Sequence, residues 1–68
     1  MIDRDFLAQY LRFLDTASLE ELETRHKLVL ESIPLLHDPG NRRDAKYLLR
    51  LLEAEIFVRR TMLLLRHR

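Results

Sequence analysis

The sequence contains no cysteine, and it has one glycine and two prolines among its 68 residues. Without cysteine, the chain has neither a disulfide framework nor a thiolate metal site. A chain of this length builds a core that is only marginally stabilising, so small folds usually add a disulfide, a metal or a partner chain. We therefore expect oligomerisation to supply the additional stability. The cysteine-free composition also fits a cytoplasmic protein, which is the location we expect.

Long apolar runs are absent as well. The longest, at residues 62–65, is far shorter than the roughly 20 residues that span a bilayer, so we expect no membrane-spanning segment. Asp3, Arg4 and Asp5 lie where a secretory signal peptide would turn apolar, so no such peptide is expected. These features predict a soluble chain that does not act at a membrane.

The formal net charge is only +1, yet the charges are unevenly distributed. Residues 1–34 carry seven acidic and four basic side chains, whereas residues 35–68 carry four acidic and eight basic ones. Opposite charges on the two halves favour antiparallel packing of one half against the other, within a chain or between chains. The preference is weak, because exposed ion pairs contribute little stability each.

Helical periodicity and capping signals predict three helices, over about residues 5–14, 19–33 and 42–65. Asp3 or Asp5 is expected to cap the first helix. Ser18 followed by Glu21 has the spacing of a capping box at the start of the second helix. The four residues between these helices are a weak interruption, so the two helices are either separate or nearly continuous.

Two prolines mark the boundary between the second and third helices. Pro34 is expected to end or kink the second helix, because proline cannot donate a helical hydrogen bond. Pro39-Gly40 suits the centre of a type II turn, with a positive φ at Gly40, and a turn is therefore predicted at residues 37–41. Asn41, with Asp44 three residues later, is the expected start signal of the third helix.

The third helix is apolar on two neighbouring faces, whereas an ordinary surface helix has one apolar stripe. One stripe comprises Ala45, Leu49, Leu52, Ile56, Arg59 and Leu63, and the other comprises Tyr47, Leu51, Ala54, Val58, Thr61 and Leu65. The first two helices are long enough to cover one stripe, which leaves the other for a second copy of the chain. The predicted fold class is thus all-α: an antiparallel helical hairpin with an additional N-terminal helix, self-associating into a helical bundle as a dimer or higher oligomer.

An alternative arrangement needs no partner for the core. In it, the first helix folds over the far side of the third helix and closes the core by itself. Phe57 or residues 62–65 would then stay partly exposed, as an apolar patch that still favours a partner.

No catalytic motif is present: the sequence has no glycine-rich phosphate loop, no HExxH and no nucleophile elbow. His26, His37 and His67 are placed on a helix, in a turn and in the C-terminal tail, which does not indicate a metal site. We therefore predict no catalytic, cofactor-binding or metal-binding residues, and we expect that the chain is not an enzyme.

The surplus apolar face predicts a small non-enzymatic regulatory or adaptor protein that acts by protein–protein interaction through a dimeric helical bundle. The residues expected at the self-association surface are Tyr47, Leu51, Ala54, Val58 and Leu65. The residues expected to contact an acidic protein partner or nucleic acid are Arg59, Arg60, Arg66 and Arg68. Two alternatives stay open: a nucleic-acid-binding regulator that uses the arginine pairs of the third helix (residues 42–43 and 59–60), and a structural subunit of a larger assembly.

Two segments resemble known families of small helical proteins. Residues 5–30 resemble the start of the Hha/YmoA gene-expression modulators, through Asp5-Phe6-Leu7, Arg12, Ser18-Leu19-Glu20, Lys27 and Leu30. Residues 41–60 are similar to the second helix of the Sda-type antikinase hairpins, through Arg43-Asp44, Leu52-Glu53, Glu55-Ile56 and Arg59-Arg60. Both resemblances imply a protein that works by binding other proteins.

Overall fold

The computed structural model describes residues 2–66, and this part of the chain is helical with no β-strand. Helix α1 spans Arg4–Thr16 and helix α2 spans Leu19–Ser32. A short 3₁₀ turn, Ile33–Leu35, leads to helix α3, which spans Pro39–Arg66. The all-α class predicted from the sequence is confirmed.

The first two helices are separate, each with its own cap. The Asp3 carboxylate accepts a hydrogen bond from the Phe6 amide at the start of α1, and Ala17 and Ser18 are extended, which ends that helix. The Ser18 hydroxyl accepts from the Glu21 amide at 3.1 Å, and the Glu21 carboxylate accepts from the Ser18 amide at 3.0 Å. The expected capping box is therefore confirmed. The hydrogen bond from the Ser18 backbone, with that of its side chain, lowers the pKa of the Glu21 carboxyl group.

The connection between α2 and α3 differs from the prediction. Helix α2 ends at Ser32, two residues before Pro34, as expected of a proline stop, but the type II turn at Pro39-Gly40 does not form, and Gly40 has no positive φ. Instead α3 begins at Pro39, three residues before the predicted start at residue 42. The Asp38 carboxylate accepts from the Asn41 amide at 2.9 Å and so provides the cap. Proline suits the first helical position because its φ is already helical and no amide is left unpaired there.

The core lies where the three helices meet. Leu22 of α2 and Leu52 of α3 are fully buried, and the other buried members are Tyr10, Leu14, Ala17 and Ile56. Later residues of α2 contact earlier residues of α3: Glu23 pairs with Arg60, whereas His26 contacts Glu53. The stripe of α3 that contains Leu52 and Ile56 is therefore the one that α1 and α2 cover.

The molecule is flat and elongated, with principal extents of 46 × 25 × 14 Å and a radius of gyration of 13.3 Å. A compact domain of this length has a radius of gyration of about 11 Å. The accessible surface is 5660 Å² for a chain of 8.2 kDa, whereas a compact monomer of that mass exposes about 4500 Å². The chain thus leaves about 1100 Å² more surface in water than its size requires.

No helix within residues 2–66 combines the length and the apolar character that crossing a membrane requires.

Candidate interaction surfaces

The second apolar stripe of α3 lies outside the core. We call five of its residues, Tyr47, Leu51, Ala54, Val58 and Leu65, the association face. Tyr47 and Val58 are each 46% exposed, Leu65 is 61% exposed and Ala54 is also exposed. Leu51 is the exception, because it is partly buried against the core. The structure thus leaves four of the five residues predicted for self-association open to solvent within one chain.

The C-terminal third of α3 is apolar around most of its circumference. Phe57 and Leu64 are more than 70% exposed on one side of the helix, and Met62 and Leu63 are about half exposed on others. Neither α1 nor α2 covers these side chains. The part of the chain that the structure describes therefore presents a contiguous apolar surface around the end of α3. An exposed apolar patch of this kind marks an interaction site in a soluble protein.

Arg59 holds a different position from its neighbours. Its guanidinium donates hydrogen bonds to the carbonyls of Ala17 at 2.7 Å, Leu14 at 3.0 Å and Asp15 at 3.2 Å. Glu55, one turn earlier on α3, accepts a further hydrogen bond from Arg59 at 2.9 Å. These carbonyls belong to the C-terminal end of α1, where helical partners run out. All the hydrogen bonds of Arg59 are thus made within the chain.

The other arginines predicted to contact a partner have different surroundings. Arg60 forms an exposed ion pair with Glu23 of α2 at 3.2 Å. Arg66 is exposed at the end of α3, beside Met62 and Leu63. Arg68 lies outside the described residues. Arg66 thus lies beside the exposed apolar surface without an ion pair among residues 2–66.

A shallow groove of about 460 Å³ separates α2 from the C-terminal half of α3. Its walls carry the Glu23–Arg60 pair and a contact of 3.2 Å between His26 and Glu53, and Ile56 and Phe57 supply the apolar part. No group of three or more potential metal ligands occurs within residues 2–66.

A buried tyrosine was not predicted to have a polar role. Tyr10 is only 5% exposed, and its hydroxyl donates to the Leu48 carbonyl of α3 at 2.9 Å. Burial raises the pKa of Tyr10 to about 12, although the nearby positive charge of Arg25 lowers it slightly. The Arg25 guanidinium itself lies 4.8 Å from the centre of the Phe13 ring, a cation–π contact between α2 and α1. Helical spacing places Tyr10 on one face of α1 with Phe6 and Leu14, but no local signal identifies a partner 38 residues away.

Comparisons with protein-family models, with curated proteins and with solved structures find no match. They therefore lend no support to either family resemblance noted in the sequence.

Proposed function

We propose that this chain is a small non-enzymatic regulatory or adaptor protein whose antiparallel helical hairpin self-associates through the association face of α3. The observation that carries the proposal is the exposed second stripe of α3, in a chain with about 1100 Å² of surplus surface. A standard protein–protein interface buries about 800 Å² on each partner. The surplus is therefore of the size that one such interface would bury. The cytoplasmic location expected from composition stays a prediction.

The spacing of the association face makes it self-complementary in one antiparallel register. If a two-fold axis crosses α3 at the level of residue 56, on the side of the helix away from the core, residues whose numbers add to 112 lie opposite one another. Tyr47 then meets Leu65 of the second copy, and Ala54 meets Val58 of the second copy. Leu51 meets Thr61 of the second copy, so a larger side chain lies opposite a smaller one in each of the three layers, which suits knobs-into-holes packing. An isologous contact of this kind closes as a dimer and leaves no open end.

A parallel pairing fits the same residues less well. It would place each residue opposite its own copy, so that Ala54 meets Ala54 and leaves a gap, while Tyr47 meets Tyr47. Asp44, one heptad before Leu51, would also face its own copy, and two like charges directly opposed are destabilising. The antiparallel pairing avoids both problems and places the macrodipoles of the two α3 helices in opposite directions.

Disulfide cross-linking tests the proposal directly, because the natural chain has no cysteine. We expect Tyr47→Cys and Leu65→Cys chains, mixed under mild oxidation, to form the mixed cross-linked dimer in preference to either self-linked dimer. In the antiparallel register, residue 47 of one copy lies about 27 Å along the helix from residue 47 of the other, far beyond disulfide reach. Self-linked dimers as the main products would indicate a parallel pairing and contradict the antiparallel register. No cross-linking in any mixture would contradict self-association through this face.

A further inference from the structure

The N-terminal half of α3 carries a row of four cations, Arg42, Arg43, Lys46 and Arg50, which we call the basic stripe. All four are exposed. At 3.6 residues per turn, they fall within about 100° of the helix circumference, and they extend over about 12 Å of its length. The row lies beside the association face, so a second copy bound there would leave it open.

The basic stripe is not neutralised within the chain. Across residues 2–66, none of its four side chains forms an ion pair, whereas Arg59 and Arg60 pair with Glu55 and Glu23. Glu53 ends the stripe on the C-terminal side, and its carboxylate contacts His26. Within residues 2–66, these four cations are thus exposed and form no ion pair.

The macrodipole of α3 does not favour cations at this end, although the Asp38 cap lies just before them. The first turn of α3 contains no acidic residue, and two arginines follow it at once. Because the macrodipole is positive at a helix N-terminus, cations there are disfavoured and acidic residues are preferred. The first turn of α2 follows that preference, with Glu20 and Glu21. The macrodipole of α3 therefore does not explain the basic stripe.

We propose that the basic stripe binds the phosphate backbone of a nucleic acid. A duplex presents one phosphate per 3.4 Å of axis on each strand, so a row about 12 Å long spans three to four of them. Three of the four cations are arginine, whose planar guanidinium binds phosphate through two parallel hydrogen bonds. This contact positions the protein on the backbone and reads no sequence. It does not depend on the proposed self-association, because one chain carries the whole stripe.

The salt dependence of binding to a labelled DNA duplex of about 20 base pairs tests this, with a log–log slope of roughly −3 to −4 expected for four phosphate contacts. In the full-length variant Arg43→Gln/Lys46→Gln/Arg50→Gln, the magnitude of that slope should be smaller by roughly 3. The matched control is Arg4→Gln/Arg12→Gln/Lys27→Gln, which removes the same charge from α1 and α2 and should keep most of the slope. The melting temperature of the stripe variant should be equal to or above that of the natural chain, since the removed cations stabilise nothing.

Three results would overturn the inference. One is no binding of the natural chain to the duplex at about 50 mM salt, where phosphate contacts are much stronger than at about 200 mM. A second is an equal decrease of the slope in both triple variants, which would show that net charge and not the basic stripe determines binding. A third is competition by polyglutamate as strong as that by unlabelled duplex, which would assign the stripe to an acidic protein instead.

Discussion

Arg59 of α3 donates a hydrogen bond to the carbonyl of Ala17 at 2.7 Å, and this contact holds the end of α1 against α3. The same guanidinium also reaches the carbonyls of Leu14 and Asp15, so one side chain supplies partners for three carbonyls that would otherwise depend on water. Glu55 orients it from one turn earlier. The position of α1 against α3 therefore depends on Arg59 as well as on apolar burial.

Replacement of Arg59 tests that role. Arg59→Ala should lower the free energy of unfolding by about 2–3 kcal/mol, because several charge-assisted hydrogen bonds are lost at once. Arg60→Ala is the matched control and should change stability by less than about 0.5 kcal/mol, because its exposed pair with Glu23 contributes little. Urea unfolding followed by circular dichroism measures both. Equal effects for the two variants would remove the special role of Arg59.

The association face makes a separate prediction. Val58→Glu should dissociate the proposed oligomer while the helix content of the chain is kept, because Val58 is 46% exposed and lies outside the core. Leu28→Glu is the control, since Leu28 is an exposed apolar residue of α2 that does not belong to the face. Light scattering after size exclusion gives the two masses. If Leu28→Glu dissociates the oligomer and Val58→Glu does not, the interface lies on α2.

Tyr10 predicts a pH dependence. In the folded chain its pKa is about 12, above the ordinary value of 10, so the neutral hydroxyl is the form that the fold favours. The stabilisation by Tyr10 is therefore complete below pH 10 and is lost as the pH rises from 10 through 12. Tyr10→Phe removes the hydrogen bond to Leu48 and should cost about 1 kcal/mol at neutral pH. The free energy of unfolding of Tyr10→Phe should approach that of the natural chain between pH 10 and 12. A difference that stays constant over this range would show that folding does not raise the pKa of Tyr10.

The capping box of α2 supplies a test of local structure. Ser18→Ala should cost about 1 kcal/mol, because the Glu21 amide loses its partner at the first turn. Thr24→Ala, at an exposed position further along the same helix, should be neutral or slightly stabilising, since alanine is the better helix former. Thermal unfolding of the two variants compares them. A loss for Thr24→Ala as large as that for Ser18→Ala would remove the importance of the cap.

Local signals in the sequence were enough to predict most of the fold. The spacing of apolar residues placed three helices, and the Ser18–Glu21 pattern identified the cap of α2 because a capping box involves residues only three apart. The start of α3 was misplaced because Asp-Pro-Gly fits two local structures. Proline is equally suited to a turn and to the first position of a helix, and the Asp38 cap decides for the helix.

The contacts that hold the candidate surfaces in place could not be predicted in the same way. The sequence predicts that Arg59 contacts a partner. It gives no sign of the carbonyls that the guanidinium reaches within the chain. Its acceptors lie more than 40 residues earlier in the chain. The basic stripe is similar: its arginines are visible in the sequence, but only the structure shows that they form no ion pair among residues 2–66.

The mass of the natural chain in solution tests the central claim most directly. Sedimentation equilibrium over a range of micromolar concentrations should give a mass of twice 8.2 kDa at the upper end, with dissociation on dilution. The mass should fall to that of one chain for Val58→Glu under the same conditions. A natural chain that sediments as a single 8.2 kDa species at every concentration would contradict self-association through α3.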